Sequence, residues 1–159
     1  MAAEKNRRLL IERVIHAPRE MVWKAWTDPK QIVKWWGPNG FTTTIETMEV
    51  RPGGVWTFVM HGPDGTDYAN KSTFIEVVPP ERIVFAHGGG SADGPRAQFE
   101  SRRTFQALGR DQTRVSIDMV FPTAADRDRI VQYYGAIEGG HQTLRRLSEL
   151  LEPPDGRAG

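Results

Sequence analysis

Cysteine is absent from all 159 residues of the sequence. This absence excludes disulfide bonds, thiolate nucleophiles and cysteine-based zinc sites. It is also typical of proteins in a reducing compartment, so we expect a cytoplasmic location. The remaining candidate metal ligands, His16, His61, His87 and His141, lie far apart and never recur at a ligand spacing. We therefore expect no metal site and no cofactor.

An excess of one charge and a long apolar run are missing as well. Lys and Arg number 21 against 20 acidic residues, so the net charge of +1 gives no electrostatic footprint for nucleic acid. No segment approaches the roughly 20 apolar residues of a membrane helix, and residues 1–10 lack the apolar core of a secretion signal. The sequence predicts a soluble globular protein that engages neither nucleic acid nor the membrane interior.

Several catalytic signatures are also missing. There is no Walker loop, and Gly88-Gly89-Gly90 is not a dinucleotide fingerprint because no helix is expected to open from it. Residues 89–93 lack the final glycine of a nucleophile elbow. No pair of carboxylates stands out for acid–base work, so these motifs leave any catalytic residues unknown.

The first part of the chain predicts one strand and two short helices. Apolar residues of both parities from Leu9 to His16 are typical of a strand covered on both faces. Pro18 suits the first turn of a helix. Asp28 and Pro29 then cap a second helix, which carries the Trp35-Trp36 pair and ends at the Gly-Pro that follows it.

The middle of the chain changes from helical to alternating periodicity. Its apolar segments are separated by Gly, Pro and Asp residues with strong turn chemistry. Because hairpin turns link most of them, we expect a mainly antiparallel sheet. The expected strands cover 42–50, 55–60, 68–78, 82–87, 97–107 and 113–121, and 88–95 is expected to be a flexible loop.

The end of the chain predicts one long helix. Thr123 and Asp126 are a near-match to a capping box at its start. The glycine pair at 139–140 costs about 1 kcal/mol per residue relative to alanine, which indicates either close approach to the sheet or room for a ligand. Residues 153–159 are expected to be a frayed tail. The apolar stripe of the helix consists of Ile130, Tyr134, Ile137, His141, Leu144, Leu147 and Leu151.

These elements predict one α+β domain over residues 1–159, with an ordered body of about 7–152. An antiparallel sheet of about seven strands needs cover on one face, and only the last helix is long enough to supply it. We expect the sheet to curve around that helix. A sheet that wraps a single helix cannot close tightly at both ends, so an apolar cavity is expected between them.

Several motifs follow one another in a recognisable order: His16–Pro18, Val22–Pro29, Trp35–Pro38, Arg51–Gly54, Gly62–Gly65, Pro80–Ile83 and Glu138–Leu144. This order resembles that of a known family. The resemblance is to the activator-of-heat-shock-protein-90-ATPase homology family of the SRPBCC superfamily, which has the START-like, birch-pollen-allergen-like helix-grip fold. The resemblance covers nearly the whole chain and implies a deep apolar cavity. It supplies no catalytic residues that could be assigned to this sequence. It leaves open whether the protein forms a homodimer.

Large side chains on the inward parity of the strands and on the helices are the candidates for ligand contact. Apolar walls with a few polar groups are typical of small-molecule sites, although the same residues could pack in a filled core. Adjacent helical residues diverge by about 100°, so only one of Trp35 and Trp36 can face the cavity. The predicted set is Trp36, Trp56, Phe58, Met60, Tyr68, Phe74, Phe85, His87, Phe99, Met119, Tyr134, Ile137 and His141, with Phe121 also inward.

Four polar residues, Asn70, Glu100, Arg102 and Arg103, also lie on predicted strands. A solvated outer face is the default for such residues, because antiparallel sheets often keep one side wet. Any of them that pointed inward would need a partner. An inward arginine in particular would indicate an anionic group on the ligand.

Three functions are compatible with this sequence. The first is binding of a hydrophobic or aromatic, partly polar small molecule in the cavity. The second is a cyclase- or lyase-like enzyme, in which His87, His141, Tyr68 or Tyr134 would transfer protons. The third is interaction with a chaperone ATPase, which only the name of the similar family suggests. Of these we favour binding, because the element order, the inward aromatic residues and the helical glycine pair indicate an internal cavity, whereas superfamily membership alone does not determine an activity.

Overall fold

The computed structural model describes residues 6–91, 94 and 97–152, and confirms the predicted α+β helix-grip architecture within them. The expected tail at 153–159 lies outside the described residues. In the described part of the chain, no helix is both long and apolar enough to cross a membrane. The elements are β1 (Arg8–Ile15), α1 (Arg19–Thr27), α2 (Pro29–Ile32), β2 (Thr42–Met48), β3 (Val55–His61), β4 (Asp67–Val78), β5 (Arg82–Ser91), β6 (Ala97–Gly109), β7 (Gln112–Val120), α3 (Ala124–Tyr134) and α4 (Ala136–Leu151).

The seven strands form one antiparallel sheet in the order β1-β7-β6-β5-β4-β3-β2. Strands β2 to β7 follow one another as neighbours, and β1 joins the far edge by pairing with β7. The register shifts in β2 between Ile45 and Thr47, and in β4 between Phe74 and Glu76. Such bulges increase local twist and bend the strand, which accounts for curvature toward the helices.

Two of the predicted helix caps are confirmed. The Asp28 side chain accepts a hydrogen bond from the Lys30 N–H at 2.9 Å and begins α2. The Thr123 hydroxyl accepts one from the Asp126 N–H at 3.0 Å and begins α3. Both side chains satisfy main-chain donors that the first helical turn leaves unpaired.

The single long helix expected over 123–151 is wrong, because the chain breaks it at Gly135. This residue adopts the left-handed conformation with φ of 61° and ψ of 43°, and its N–H donates to the Val131 carbonyl at 3.0 Å. Glycine adopts that conformation without steric cost and is the usual residue that ends a helix. The result is two helices, α3 and α4. The three- and four-residue spacing of buried positions in α3 therefore need not continue into α4.

The loop expected at 88–95 is also corrected for its described part. Strand β5 continues through Gly88, Gly89 and Gly90 to Ser91, and these residues pair with Lys71, Ala69 and their neighbours on β4. A Cβ atom on Gly89 would lie 2.2 Å from the Asn70 side-chain oxygen and 2.8 Å from the Ala69 carbonyl oxygen. Glycine is therefore used here for close approach within the sheet, and not for flexibility.

Candidate ligand-binding cavity

A cavity of about 320 Å³ lies between the inner face of the sheet and the helices α3 and α4, and it is partly open to solvent. Its volume is at the lower end of the range for small-molecule sites. The sheet supplies a wall of large side chains, which alternate inward along the strands. The principal ones are Met60 and Tyr68 from β3 and β4, His87 from β5, Phe99 from β6 and Met119 from β7, with Phe121 just after it.

The opposite wall, on α4, consists of small residues: Ala136, Gly139, Gly140 and Thr143. A Cβ atom on Gly140 would lie 2.1 Å from the Cδ1 atom of Ile11. One on Gly139 would lie 3.3 Å from Cγ of Pro38. The glycine pair thus lets the helix approach both β1 and the turn after α2, while it leaves the space beside them open.

The tandem tryptophans occupy different environments. Trp35 is fully buried, and its indole N–H donates to the Ala25 carbonyl at 3.1 Å. Trp36 lines the cavity, with its ring centroid 5.5 Å from that of Trp26. The structure therefore assigns Trp35 to the core and Trp36 to the cavity, so the pair lies at the boundary between the two regions.

A buried arginine lies at the boundary of this cavity. The Arg103 side chain is only 4% exposed and is surrounded by an aromatic cage, which we define as Trp26, Trp36, Trp56 and Phe85. Its guanidinium carbon lies 4.4 Å from the Phe85 ring centroid, 4.5 Å from Trp26, 4.6 Å from Trp36 and 5.9 Å from Trp56. Arg103 also lines the cavity.

No carboxylate of the described residues neutralises Arg103. None of the ion pairs found among those residues includes it, and its Nε has no acceptor. Burial lowers the pKa of Arg103 well below its usual value, because the charged guanidinium loses water. Cation–π contacts contribute up to about 2 kcal/mol each when desolvated. Removing the ion from water costs several kcal/mol, a total of the same order as four such contacts, but the rings give the Arg103 Nε–H no oxygen or nitrogen acceptor.

The cage contains further donors without acceptors in the described part of the chain. The indole N–H groups of Trp26, Trp36 and Trp56 are buried and make no hydrogen bond. An indole N–H can only donate, as can a guanidinium group. The unpaired polar atoms around Arg103 are therefore complementary to a hydrogen-bond acceptor.

His87 lies on the cavity wall within a hydrogen-bond network. Its Nδ1 is 2.7 Å from the Ser72 hydroxyl, and its Nε2 is 3.1 Å from the Asn70 side-chain oxygen. The Asn70 amide nitrogen donates to the Tyr68 carbonyl at 2.8 Å, which fixes the amide orientation. Since the Asn70 oxygen can only accept, His87 Nε2 donates, and both ring nitrogens are engaged.

Two tyrosines from opposite walls approach each other across the cavity. The ring centroids of Tyr68 and Tyr134 are 5.9 Å apart. Burial, together with the charges of Asp64 and of the neighbouring tyrosines, raises the pKa of Tyr68 above its ordinary value. The Tyr68 phenol therefore stays protonated at neutral pH and can donate a hydrogen bond.

The structure brings together most of the predicted ligand-contacting residues. Seven of them border the cavity, and Phe121, expected inward, does so too. Sequence alternation placed the strand residues on the correct face because the pleat repeats every two residues. The seven are Trp36, Met60, Tyr68, His87, Phe99, Met119 and Tyr134.

Four predicted residues, Trp56, Phe58, Phe74 and Phe85, point inward but are buried below the cavity wall. The Trp36 ring covers Trp56 and Phe58, with centroid separations of 5.7 and 6.5 Å. The expectation that these residues line the cavity is therefore corrected. The Trp36 ring and the Arg103 guanidinium, which lies over Phe85, fill the space between them and the cavity.

Ile137 and His141 were expected to line the cavity, but both are exposed. The apolar stripe that included them assumed one continuous helix and selected large side chains. In α4 the part of the helix that borders the cavity instead consists of small residues such as Ala136 and Gly140, while Leu144 and Leu147 of the predicted stripe are fully buried. His141 therefore does not meet His87 across the cavity.

Arg103 is the main site residue that sequence reasoning missed, since the solvated outer face was the default for it. The signal was present in β6. Arg103 shares its parity with Phe99 and Phe105, whereas Glu100 and Arg102 have the opposite parity and are exposed. Alternation along this one strand would have placed Arg103 inward. Asn70, the other polar candidate that faces inward, also lines the cavity.

A second concave surface is less suited to a ligand. It lies on the outer side of α3, is lined by Ala125, Asp128, Arg129, Gln132 and Tyr133, and measures about 540 Å³. It is a shallow depression, open to solvent on most sides, and its residues are mostly exposed. Ligand sites bury most of their ligand, so the enclosed cavity is the stronger candidate.

Solved structures with the same fold come from several bacteria. Protein Ms6760 from Mycobacterium smegmatis is 27% identical, with a TM-score of 0.82 over 92% of each chain. A protein from Arthrobacter aurescens is 25% identical, with a TM-score of 0.84 over 96% of this chain and 91% of that one. Protein CV1439 from Chromobacterium violaceum is 26% identical, with a TM-score of 0.79 over 92% and 98%.

No functionally curated protein matches the chain at a significant level. A family model, in contrast, matches residues 16–152, which run from the end of β1 to the end of α4. That span includes Arg103 with its aromatic cage and all the cavity-lining residues described above except Ile11. Its match, together with the shared fold, shows that the chain belongs to the family described as Activator of Hsp90 ATPase homolog 1-like protein.

Proposed function

We propose that the protein binds a small hydrophobic or aromatic molecule in the cavity between the sheet and helices α3 and α4. The observation that carries this proposal is the partly enclosed space of about 320 Å³ with a largely apolar wall. A few polar groups, from Tyr68, Asn70, His87 and Arg103, face the same space. This combination of apolar walls and sparse polar groups is how small-molecule sites are built.

A cyclase- or lyase-like reaction in the same cavity has weaker support. Of the four residues considered for proton transfer, His141 is exposed and does not border the cavity. Both ring nitrogens of His87 are engaged by Ser72 and Asn70, so a ligand would have to displace one of these partners to hydrogen-bond to a ring nitrogen. Binding without chemistry needs no such group, and we therefore favour it.

Interaction with a chaperone ATPase is supported only by the family name. Large exposed apolar residues such as Leu10, Ile75, Leu108 and Tyr133 occur on four different elements, β1, β4, β6 and α3. Single exposed apolar residues are normal on protein surfaces and do not define an interface.

The binding proposal is tested with phenylnaphthylamine, an uncharged dye that fluoresces in apolar surroundings. We expect saturable binding to the wild-type protein. Ala136→Trp places an indole in the cavity and should weaken binding at least tenfold, because the dye and the ring compete for one space. Ala125→Trp, on the shallow depression, is the matched control and should bind as the wild type does.

Circular dichroism would establish that both variants are folded. Unchanged dye affinity in a folded Ala136→Trp protein would contradict the proposal. A loss confined to Ala125→Trp would move the site to the outer side of α3.

A further inference from the structure

We propose that the ligand of this cavity is an amphipathic anion whose acidic group pairs with Arg103. This inference rests on the proposed function and specifies the chemical class of ligand that the site takes. The body of the ligand would be aromatic or aliphatic, and its charged end would be a carboxylate or a group of similar shape.

The charge balance of the cavity is the first argument. Arg103 is cationic, and the described residues that line the cavity with it include no Asp or Glu. A buried charge that lacks a partner is strongly destabilising unless something compensates it. Since the aromatic cage supplies neither a negative charge nor an acceptor for the Arg103 Nε–H, a ligand anion would recover free energy that the empty site lacks.

The donor pattern is the second argument. Around Arg103 the unpaired buried nitrogens, Nε of Arg103 and the indole nitrogens of Trp26, Trp36 and Trp56, are all donors. Tyr68, which borders the same cavity, remains a protonated donor at neutral pH. Of these residues Arg103, Trp36 and Tyr68 border the cavity, so an anion there can accept from them, whereas a cationic ligand would face the guanidinium charge.

Geometry supplies the third argument. The rings of Trp26, Trp36 and Phe85 lie within 4.6 Å of the guanidinium carbon and restrict its orientation. A guanidinium group held in this way is preorganised, so less conformational entropy is lost when it binds. The planar group can then present parallel N–H donors to a carboxylate or sulfonate.

The test compares two dyes with the same aromatic body, anilinonaphthalene sulfonate and the uncharged phenylnaphthylamine. The wild-type protein should bind the sulfonate at least tenfold more tightly, and each dye should displace the other. Arg103→Met should weaken sulfonate binding about tenfold to a hundredfold, the range expected for a charged hydrogen bond, and leave the uncharged dye within about threefold. Arg102→Met removes the adjacent, exposed arginine and should leave the affinity of both dyes unchanged.

Equal affinities of the two dyes for the wild type would overturn the inference and leave the proposed function intact. So would an unchanged sulfonate affinity in folded Arg103→Met. If neither dye binds, the proposed function fails and the inference fails with it. Should Arg103→Met not fold, Arg103→Lys keeps the charge but loses the planar fork, so a reduced sulfonate preference is expected and an unchanged one contradicts the proposal.

Discussion

The space between the sheet and the helices is packed at one end and open at the other, and strand β6 runs along both. At one end Phe105 is 2% exposed and packs against Trp23 and Trp26, with centroids 5.7 and 5.8 Å apart. At the other end Phe99, on the same face of the same strand, borders the cavity. We refer to these as the filled end and the hollow end, and Arg103 lies between the two phenylalanines.

The difference between the ends lies in what covers the strand. Large side chains from α1 and from the turn after α2, chiefly Trp26 and Trp35, cover the filled end; α2 ends at Ile32 and does not carry the tryptophan pair as expected. Small residues of α4, such as Ala136 and Gly140, cover the hollow end. The same alternation of inward residues thus gives a solid core or a ligand site, depending on the volume of the helical side chains opposite.

The largest expected effect comes from truncating the two phenylalanines. Phe105→Ala should lower the free energy of unfolding by about 3–5 kcal/mol, because it removes a fully packed ring and leaves a cavity. Phe99→Ala should cost clearly less, about 1–2 kcal/mol, because the ring already faces open space on one side. Urea unfolding measures both changes, and equal losses would show that the two ends are packed alike.

A smaller effect is expected from adding a methyl group to the glycines of the hollow end. In Gly89→Ala the new Cβ would meet the Asn70 side chain and the Ala69 carbonyl, so we expect a loss of about 1–3 kcal/mol. Gly139→Ala meets only Pro38, at 3.3 Å, and improves helix propensity by up to about 1 kcal/mol. The melting temperature should therefore fall in Gly89→Ala and rise in Gly139→Ala. A shift of the same sign in both variants would contradict the contacts described.

The stability of Arg103→Met tests whether the boundary between the ends carries an uncompensated charge. Replacing the buried cation by an apolar side chain of similar length should leave stability unchanged or raise it, by about 1 kcal/mol, when no ligand is present. Arg102→Met, on the exposed face, should change stability by less than about 0.5 kcal/mol. A loss of several kcal/mol in Arg103→Met would show that the aromatic cage fully compensates the charge.

The smallest effect concerns pH and the far end of α4. Burial raises the pKa of Glu152, but contacts with Ser148 and the His16 N–H, and the charges of His16 and Arg13, lower it by more. Because the net shift is downward, the carboxylate stabilises the fold at neutral pH, and this contribution is lost as the pH falls through its lowered pKa. Glu152→Gln should cost less than about 1 kcal/mol at neutral pH, and the cost should shrink at acid pH as the carboxylate protonates.

Unfolding by urea at neutral and at acid pH checks the result for Glu152. If the difference in unfolding free energy between wild type and variant grew on acidification, it would contradict a lowered pKa of Glu152.

The sequence alone determined the order and type of most elements, because these depend on local patterns. Alternation from Val55 to Met60 fixed which strand residues face inward, and Asp28 and Thr123 marked two helix starts. The order of the motifs also indicated the family and its helix-grip fold. These signals lie in neighbouring residues and need no knowledge of what packs above them.

Only the tertiary structure decided which inward residues border a cavity. Phe85 and Phe99 have similar local sequence signals, but a guanidinium group covers one and open space adjoins the other. The turn at Gly135 likewise set the face of α4, so that Gly140 rather than Ile137 approaches the sheet. Arg103 could have been placed inward from its parity. That no carboxylate of the described residues pairs with it depends on contacts between residues far apart in the sequence, which no local pattern encodes.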